Sequence, residues 1–173
     1  MKGLSEKVIK FIQEAIQLEI DGREFFNQAA EITHNELGKK MFFRLAQEEV
    51  KHLEAFSKLF SSIVKTDEWK KYVKREESKP RSQVIEELAS RMKKAEGKSE
   101  IEALSIGMEL EQKAINFFSS TARDMSDSQA KEIFDKICDE ERFHYDLLQA
   151  QYDSLTNSGF WLDSAEFKMD GKY

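Results

Sequence analysis

Apolar residues recur at alternating three- and four-residue steps along most of the chain, and this period is typical of amphipathic helices. The pattern predicts five helices. The first four lie over residues 4–33, 39–64, 82–95 and 99–125, and the last one ends near Leu155. The prediction is therefore an all-α protein.

Residues that favour helix ends lie where each stretch of regularly spaced apolar residues stops. Residues 34–38 have the composition of a turn between the first two helices. Ser99 and Glu102 have the spacing of a capping box, which predicts that Ser99 caps the fourth helix. Asp127 can cap the last helix with its carboxylate.

Two helical hairpins are separated by a long connection, at about residues 65–98. Its charged first part contains Trp69 and Tyr72, so we expect a short helix or an ordered crossover there and not a free linker. A crossover of this length between the second and third core helices allows the hairpins to pack side by side as one four-helix bundle. The alternative is that the two hairpins of one chain stay separate and form four-helix bundles only in a dimer, by exchange between two chains. We expect one domain over residues 1–155, followed by an irregular aromatic tail over residues 156–173.

Composition excludes several classes of protein. One Pro and seven Gly among 173 residues favour helices over a turn-rich β-fold. A net charge of −6 gives no electrostatic reason to expect nucleic acid or a membrane surface as partner. The single cysteine, Cys138, excludes an internal disulfide and a Cys-x-x-Cys metal site. No apolar run is long enough to span a membrane and the N-terminus is too charged for a signal peptide, so we expect a cytoplasmic protein.

The chain contains one polar pattern twice. A Glu stands three residues before a His, and another Glu lies 30 residues upstream. The first set is repeated 92 residues later, and the two sets are Glu19, Glu49 and His52, then Glu111, Glu141 and His144. A spacing of three residues places both side chains on one face of a helix, where they can bind one ion.

These six polar residues interrupt apolar stripes that the repeat also superposes. Phe42, Leu45 and Phe56 correspond to Phe134, Ile137 and Leu148. A stripe of this kind is the face that a helix buries. Four buried carboxylates would cost more than the stability of a whole domain unless cations neutralise them. Two divalent ions balance the four negative charges, and carboxylates with one imidazole per ion favour iron, with manganese or a mixed pair as alternatives.

Several other residues receive a structural interpretation. Glu31 and His34 have the same three-residue spacing, but their positions in the repeat are Arg123 and Ser126, so we exclude His34 as a ligand. Others are assigned as follows: Glu48 and Glu140 as carboxylates that flank the ligands or support them from behind, Glu109 as an exposed helix residue, Cys138 as a core filler, and Phe25, Phe26, Phe117, Phe118 and Tyr145 as packing residues.

The strings LEIDGREFF at residues 18–26 and LEQKAINFF at residues 110–118, with EEVKH at 48–52 and EERFH at 140–144, resemble the rubrerythrin branch of the ferritin-like superfamily. The resemblance covers roughly residues 4–155. It implies an antiparallel four-helix bundle with a central di-iron carboxylate site, commonly in a homodimer. It also implies that all six repeated residues are the metal ligands.

Two departures limit what the resemblance implies about activity. Rubrerythrins carry a rubredoxin domain with four cysteines, whereas this chain has one cysteine. They also carry an extra carboxylate one turn after the Glu of the third core helix, where this chain has Ala114. We therefore expect a di-iron redox protein that reduces H₂O₂ or O₂ with oxidation of Fe²⁺, as a peroxidase or a ferroxidase, and takes electrons from an external rubredoxin-like or flavin protein. A non-catalytic metal-binding or iron-storage module is the alternative.

Overall fold

The computed structural model describes residues 6–64, 83–94 and 98–163, and these residues form helices joined by short connections. The helices are α1 (Glu6–Ile32), α2 (Glu36–Val64), α3 (Gln83–Lys94), α4 (Ser99–Asp124) and α5 (Ser128–Ser158). No strand occurs within the three described ranges, which confirms the prediction of an all-α fold.

The four long helices form two antiparallel hairpins, α1 with α2 and α4 with α5, and the hairpins pack against each other through α1 with α4 and α2 with α5. The backbone N–H of His34, just after α1, donates to the carboxylate of Glu100 at the start of α4 at 2.8 Å. Trp161, just after α5, packs against Phe42 near the start of α2. Because a C-terminal end meets an N-terminal end in both cases, α1 runs antiparallel to α4 and α2 to α5. The predicted antiparallel four-helix bundle is therefore confirmed.

Two apolar clusters fill the bundle. One, which we call the Trp161 cluster, contains Phe25, Phe26, Met41, Phe42, Leu45, Leu104, Leu148 and Trp161. The other, the Phe134 cluster, contains Ile12, Ile16, Phe56, Leu59, Phe118, Phe134, Ile137 and Cys138. Their side chains come from the predicted stripes, so the repeat identified the buried helix faces correctly. Burial of this apolar area is the main force that holds the four helices together.

The Trp161 cluster is closed by the segment after α5 and by α3. A Cβ atom on Gly38 would lie 2.8 Å from the Trp161 ring, so glycine is what allows the ring to sit on α2. The Trp161 indole N–H donates to Glu100 at 3.3 Å. The guanidinium of Arg91 on α3 forms two hydrogen bonds with Glu109 of α4, at 2.9 and 3.1 Å, and α3 adds Leu88 to the cluster.

The helix ends correct three predictions. The first connection spans only residues 33–35, because the Asn35 side chain accepts hydrogen bonds from the N–H groups of Leu37 and Gly38 and so caps α2 earlier than predicted. Ser99 does not cap α4, since the N-cap is Lys98 and its side chain forms no capping hydrogen bond. The last helix continues to Ser158, three residues beyond the predicted end, and stops at Gly159 with φ of 75°.

Asp127 does cap α5, as predicted, since its carboxylate accepts from the Ala130 N–H at 2.8 Å. Residues 65–82 and 164–173 lie outside the described ranges, and so do the predictions for Trp69, Tyr72 and most of the tail. Among the described helices, none is both long and apolar enough to cross a membrane.

Candidate metal centre

The six repeated residues lie at mid-height in the bundle, between the two apolar clusters. They come from all four long helices: Glu19 from α1, Glu49 and His52 from α2, Glu111 from α4, Glu141 and His144 from α5. None is more than 3% exposed. The structure therefore brings together every residue that the sequence analysis selected for a metal site.

The six side chains form two groups that overlap. Donor atoms of Glu19, Glu49, His52 and Glu141 all lie within 4.8 Å of one another, and so do those of Glu49, Glu111, Glu141 and His144. Glu49 and Glu141 belong to both groups. Each group has the size and the donor atoms of one metal position, and the two shared carboxylates would join the positions.

Both imidazoles turn the same ring nitrogen toward the carboxylates. His52 Nδ1 lies 3.0 Å from Glu141 and 3.2 Å from Glu19. His144 Nδ1 lies 3.0 Å from Glu141 and 3.4 Å from Glu111. The two rings are stacked, with centroids 5.8 Å apart and planes inclined by 20°. The Nδ1 atoms are therefore the nitrogens available to an ion in this site.

The carboxylates raise the pKa of both imidazoles. Burial alone would lower the pKa of His52, but hydrogen bonds to Glu140, Glu141 and Glu19 outweigh it and raise that pKa. Burial likewise acts to lower the pKa of His144, and hydrogen bonds to Glu111, Glu141 and Glu49 raise it overall. A cation placed between the carboxylates competes with protons for the imidazole nitrogens.

The four carboxylates separate into two pairs by their pKa. Burial, followed by the charges of Glu49 and Glu141, raises the pKa of both Glu19 and Glu111 well above the usual value. Burial also acts to raise the pKa of Glu49 and Glu141, but hydrogen bonds from both histidines, and for Glu49 from Glu19, lower it overall. The direction of the pKa shift therefore separates the shared carboxylates, Glu49 and Glu141, from Glu19 and Glu111.

Three buried oxygens of the site have no well-aligned hydrogen-bond partner within the described chain. They are one Oε1 atom each from Glu19, Glu111 and Glu141, and those of Glu141 and Glu111 lie 3.0 and 3.4 Å from an imidazole Nδ1. Buried polar atoms in proteins nearly always have a partner, and an orphaned one calls for an explanation such as an ion. Carboxylate oxygens and imidazole nitrogens suit iron and manganese. The residues present therefore fit the binding of two divalent metal ions.

Two further residues lie next to the site, and the sequence analysis did not identify one of them, Gly22. Glu140, predicted as a carboxylate that flanks the ligands or supports them from behind, lies 2.7 Å from His52 Nε2 and is half-buried. Gly22 is the other: a Cβ atom there would meet the carboxylate carbon of Glu49 at 3.4 Å, so glycine leaves free space beside Glu49. A signal for Gly22 existed, because its counterpart in the repeat, Ala114, is also small.

Residues that the sequence analysis set aside lie apart from the site. His34 is exposed and belongs to neither group. Cys138 is buried in the Phe134 cluster, where its thiol donates to the Ile115 carbonyl, and burial raises its pKa. Tyr145 packs half-buried against the same cluster, and Glu109 is exposed. The burial of Cys138 and the exposure of Glu109 agree with their predicted structural roles.

A bundle of two antiparallel helical hairpins with a buried carboxylate and histidine cluster at its centre defines a ferritin-like protein. The chain matches the Rubrerythrin family over residues 10–152, and it belongs to that family.

A solved structure supports the fold. The chain is similar to a hypothetical protein from Pyrococcus furiosus, with a TM-score of 0.68 and 24% identity, and the alignment covers 90% of this chain and 94% of that one. At this identity the likeness concerns the fold alone. No match was found among curated proteins.

Proposed function

We propose that Glu19, Glu49, His52, Glu111, Glu141 and His144 bind two iron ions, and that the protein uses them to reduce H₂O₂ or O₂ with oxidation of Fe²⁺. The observation that carries the proposal is the set of three buried carboxylate oxygens that no well-aligned hydrogen bond satisfies, beside two Nδ1 atoms and between two apolar clusters. Two of these oxygens lie 3.0 and 3.4 Å from an imidazole Nδ1, but two imidazoles cannot neutralise four carboxylates. Two divalent cations would supply four positive charges to four carboxylates.

The chemistry that iron supplies is electron transfer, since two Fe²⁺ ions provide the two electrons that, with two protons, convert one H₂O₂ into two waters. The chain's own residues hold and shield the reacting groups. Glu49 and Glu141 reach both positions and so fix the distance between them. The Phe134 cluster and the Trp161 cluster exclude water from both sides, which strengthens every electrostatic interaction between them.

Electrons for repeated turnover would come from outside these 173 residues. A single cysteine cannot build a four-cysteine iron site of the rubredoxin type, so we propose a rubredoxin-like or flavin protein as the donor. In the absence of a donor the same residues would support a ferroxidase, with Fe²⁺ as the substrate. We further propose a cytoplasmic homodimer, which rests on the sequence expectation and on the family.

The test is anaerobic loading with Fe²⁺, followed by H₂O₂ or O₂ in separate stopped-flow runs. We expect about two Fe²⁺ per chain and a rapid rise in the near-ultraviolet absorption of protein-bound Fe³⁺ with at least one oxidant. Glu111→Ala should bind less iron and lose most of the absorbance change. Glu109→Ala is the matched control, because it removes an exposed carboxylate from the same helix.

The ratio of the two oxidation rates identifies the substrate, and turnover with excess Fe²⁺ alone identifies a ferroxidase. The proposal would be wrong if wild-type protein bound no iron, if neither oxidant changed the absorbance, or if Glu111→Ala behaved like Glu109→Ala. Binding of iron without any reaction would instead support the metal-binding or storage alternative.

A further inference from the structure

The two halves of the site differ in what supports each histidine from behind. His52 Nε2, the ring nitrogen that faces away from the site, lies 2.7 Å from the Glu140 carboxylate. By the repeat, the residue that would do the same for His144 is Glu48. Glu48 instead accepts from the Lys51 ammonium at 3.0 Å, and among the described residues no hydrogen bond joins it to His144.

An open space lies where the missing contact would be. A cavity of about 290 Å³ reaches His144 and is lined by the side chains of Arg44, Glu48, Lys51 and Glu140. Nδ1 of His144 faces the carboxylates of the site. His52 does not line this cavity. Of the two imidazoles, His144 is therefore the one that the cavity reaches.

A carboxylate behind a metal-binding histidine has known physical effects. It fixes the tautomer and the orientation of the ring, and it makes the coordinating nitrogen more basic. The contact is strong here because it involves a charged acceptor at a short distance and only part of Glu140 is exposed. The Glu48 charge, in contrast, is already paired with Lys51, whose side chain is 67% exposed.

We propose that the two metal positions are unequal, because Glu140 is a positioning residue for His52 and the Glu48 position provides no such support for His144. The position formed with His52 and Glu19 binds the first ion and holds it more tightly. The position formed with His144 and Glu111 fills second and holds its ion less tightly. This inference rests on the proposed binding of two metal ions.

The test uses Co²⁺ as the probe, added to the metal-free protein and followed by calorimetry and visible absorption. Wild-type protein should bind two Co²⁺ in two phases with dissociation constants at least about tenfold apart. Glu140→Ala should weaken the tighter phase roughly 10–100-fold, so that the phases merge. Glu48→Ala, the matched control from the repeat, should leave both constants within about threefold of wild type.

Two further measurements separate positioning from a general structural effect. Glu140→Gln keeps a hydrogen-bond acceptor but loses the charge, so its affinity should fall between wild type and Glu140→Ala. In nitrogen-15 NMR spectra of the Zn²⁺-loaded protein, the His52 Nε2–H signal should persist in Glu48→Ala and exchange away in Glu140→Ala. Circular dichroism reports whether Glu140→Ala folds; if it does not, Glu140→Gln carries the test.

Equal effects of Glu48→Ala and Glu140→Ala on affinity, or no effect of either, would overturn the inference while leaving two-metal binding intact. Two indistinguishable phases in wild-type protein would overturn it as well. If wild-type protein bound no Co²⁺ and no Fe²⁺, the proposed function itself would fail.

Discussion

The hairpin of α1 with α2 and the hairpin of α4 with α5 are two versions of one structural unit, and they agree closely at the site and at the turn. Each supplies one Glu from its first helix and a Glu and a His from its second. Each begins its second helix with a side-chain cap, Asn35 in one and Asp127 in the other, and these two residues are also 92 positions apart. The shared features are the donor atoms and the turn that sets the register between helices.

The two hairpins differ in the layer behind the donor atoms. Glu140 bonds to His52, whereas Glu48 pairs with Lys51. Gly22, beside Glu49, has Ala114 as its counterpart. The surrounding residues can therefore diverge while the six central ones stay the same, and each difference offers a measurement that compares one hairpin with the other.

The largest effect is expected when a shared carboxylate is removed. Glu141→Gln and Glu49→Gln should weaken both metal positions, by more than the roughly 10–100-fold that loss of an outer partner costs. Glu19→Gln should weaken mainly the one metal position to which Glu19 belongs. Glu141→Gln should be the more severe of the two shared variants, because both Nδ1 atoms lie 3.0 Å from Glu141 but 3.5 and 3.7 Å from Glu49.

Metal titrations of these variants, with the unfolding curves of their metal-free forms as controls for folding, provide the check. A Glu19→Gln variant that lost both ions would contradict the assignment of Glu49 and Glu141 as the only shared carboxylates among the described residues.

The next effect concerns pH and the metal-free protein. The folded-state pKa of His52 and of His144 lies above the unfolded value of about 6.5, so their stabilising contribution is complete below that pH and is lost as pH rises. Glu19 and Glu111 act in the same direction, because burial raises their pKa too. The free energy of unfolding should fall as the pH rises above about 6.5, by up to about 1.4 kcal/mol per pH unit for each imidazole.

Denaturant unfolding in the presence of a chelator measures this slope. His52→Gln and His144→Gln should flatten it equally, although only His52 contacts Glu140, since both pKa shifts are large and upward. With metal bound the trend should reverse, because deprotonation of the same groups favours the ion. A metal-free protein that gained stability above pH 7 would show that the imidazoles are neutral in the fold.

A smaller effect tests whether the two turns are equivalent. Asn35→Ala and Asp127→Ala should each lower the free energy of unfolding by about 1 kcal/mol, the usual cost of losing a side-chain cap. Ser99→Ala is the control and should change it by only a few tenths of a kcal/mol, because Ser99 makes no cap. Thermal or denaturant unfolding is sufficient for this comparison. A neutral Asn35→Ala would mean that only the α5 turn depends on its cap.

The features of this architecture that could be predicted are those that repeat in the sequence. The offset of 92 residues, with its apolar stripes, predicted the helix faces and brought six distant residues into one proposed site. The contrast between Glu48 and Glu140 could not be predicted, because the two residues are identical in type and in repeat position. Their difference depends on side-chain neighbours such as Lys51, whose counterpart Phe143 carries no charge.

Local helix ends were predicted less well for a related reason. The spacing of Ser99 and Glu102 predicted that Ser99 caps α4. In the structure α4 already includes Ser99 as its first residue, so the N-cap position falls on Lys98, which forms no side-chain cap. At α2 the cap is Asn35, which lies directly before the helix. Cap choice thus depends on where the chain enters the helix, which the apolar period locates only to within a few residues.

The smallest effect compares Gly22 with Ala114. Gly22→Ala should raise the free energy of unfolding of the metal-free protein by about 0.5–1 kcal/mol, because alanine favours a helix interior more than glycine does. The added Cβ would meet Glu49 at an ordinary contact distance of 3.4 Å, so no strain offsets the gain. Ala114→Gly should cost at least as much in the opposite direction. If Gly22→Ala instead lowered stability or weakened metal binding, the free space beside Glu49 would be a requirement of that carboxylate, and Gly22 would belong to the site as much as the residues it adjoins.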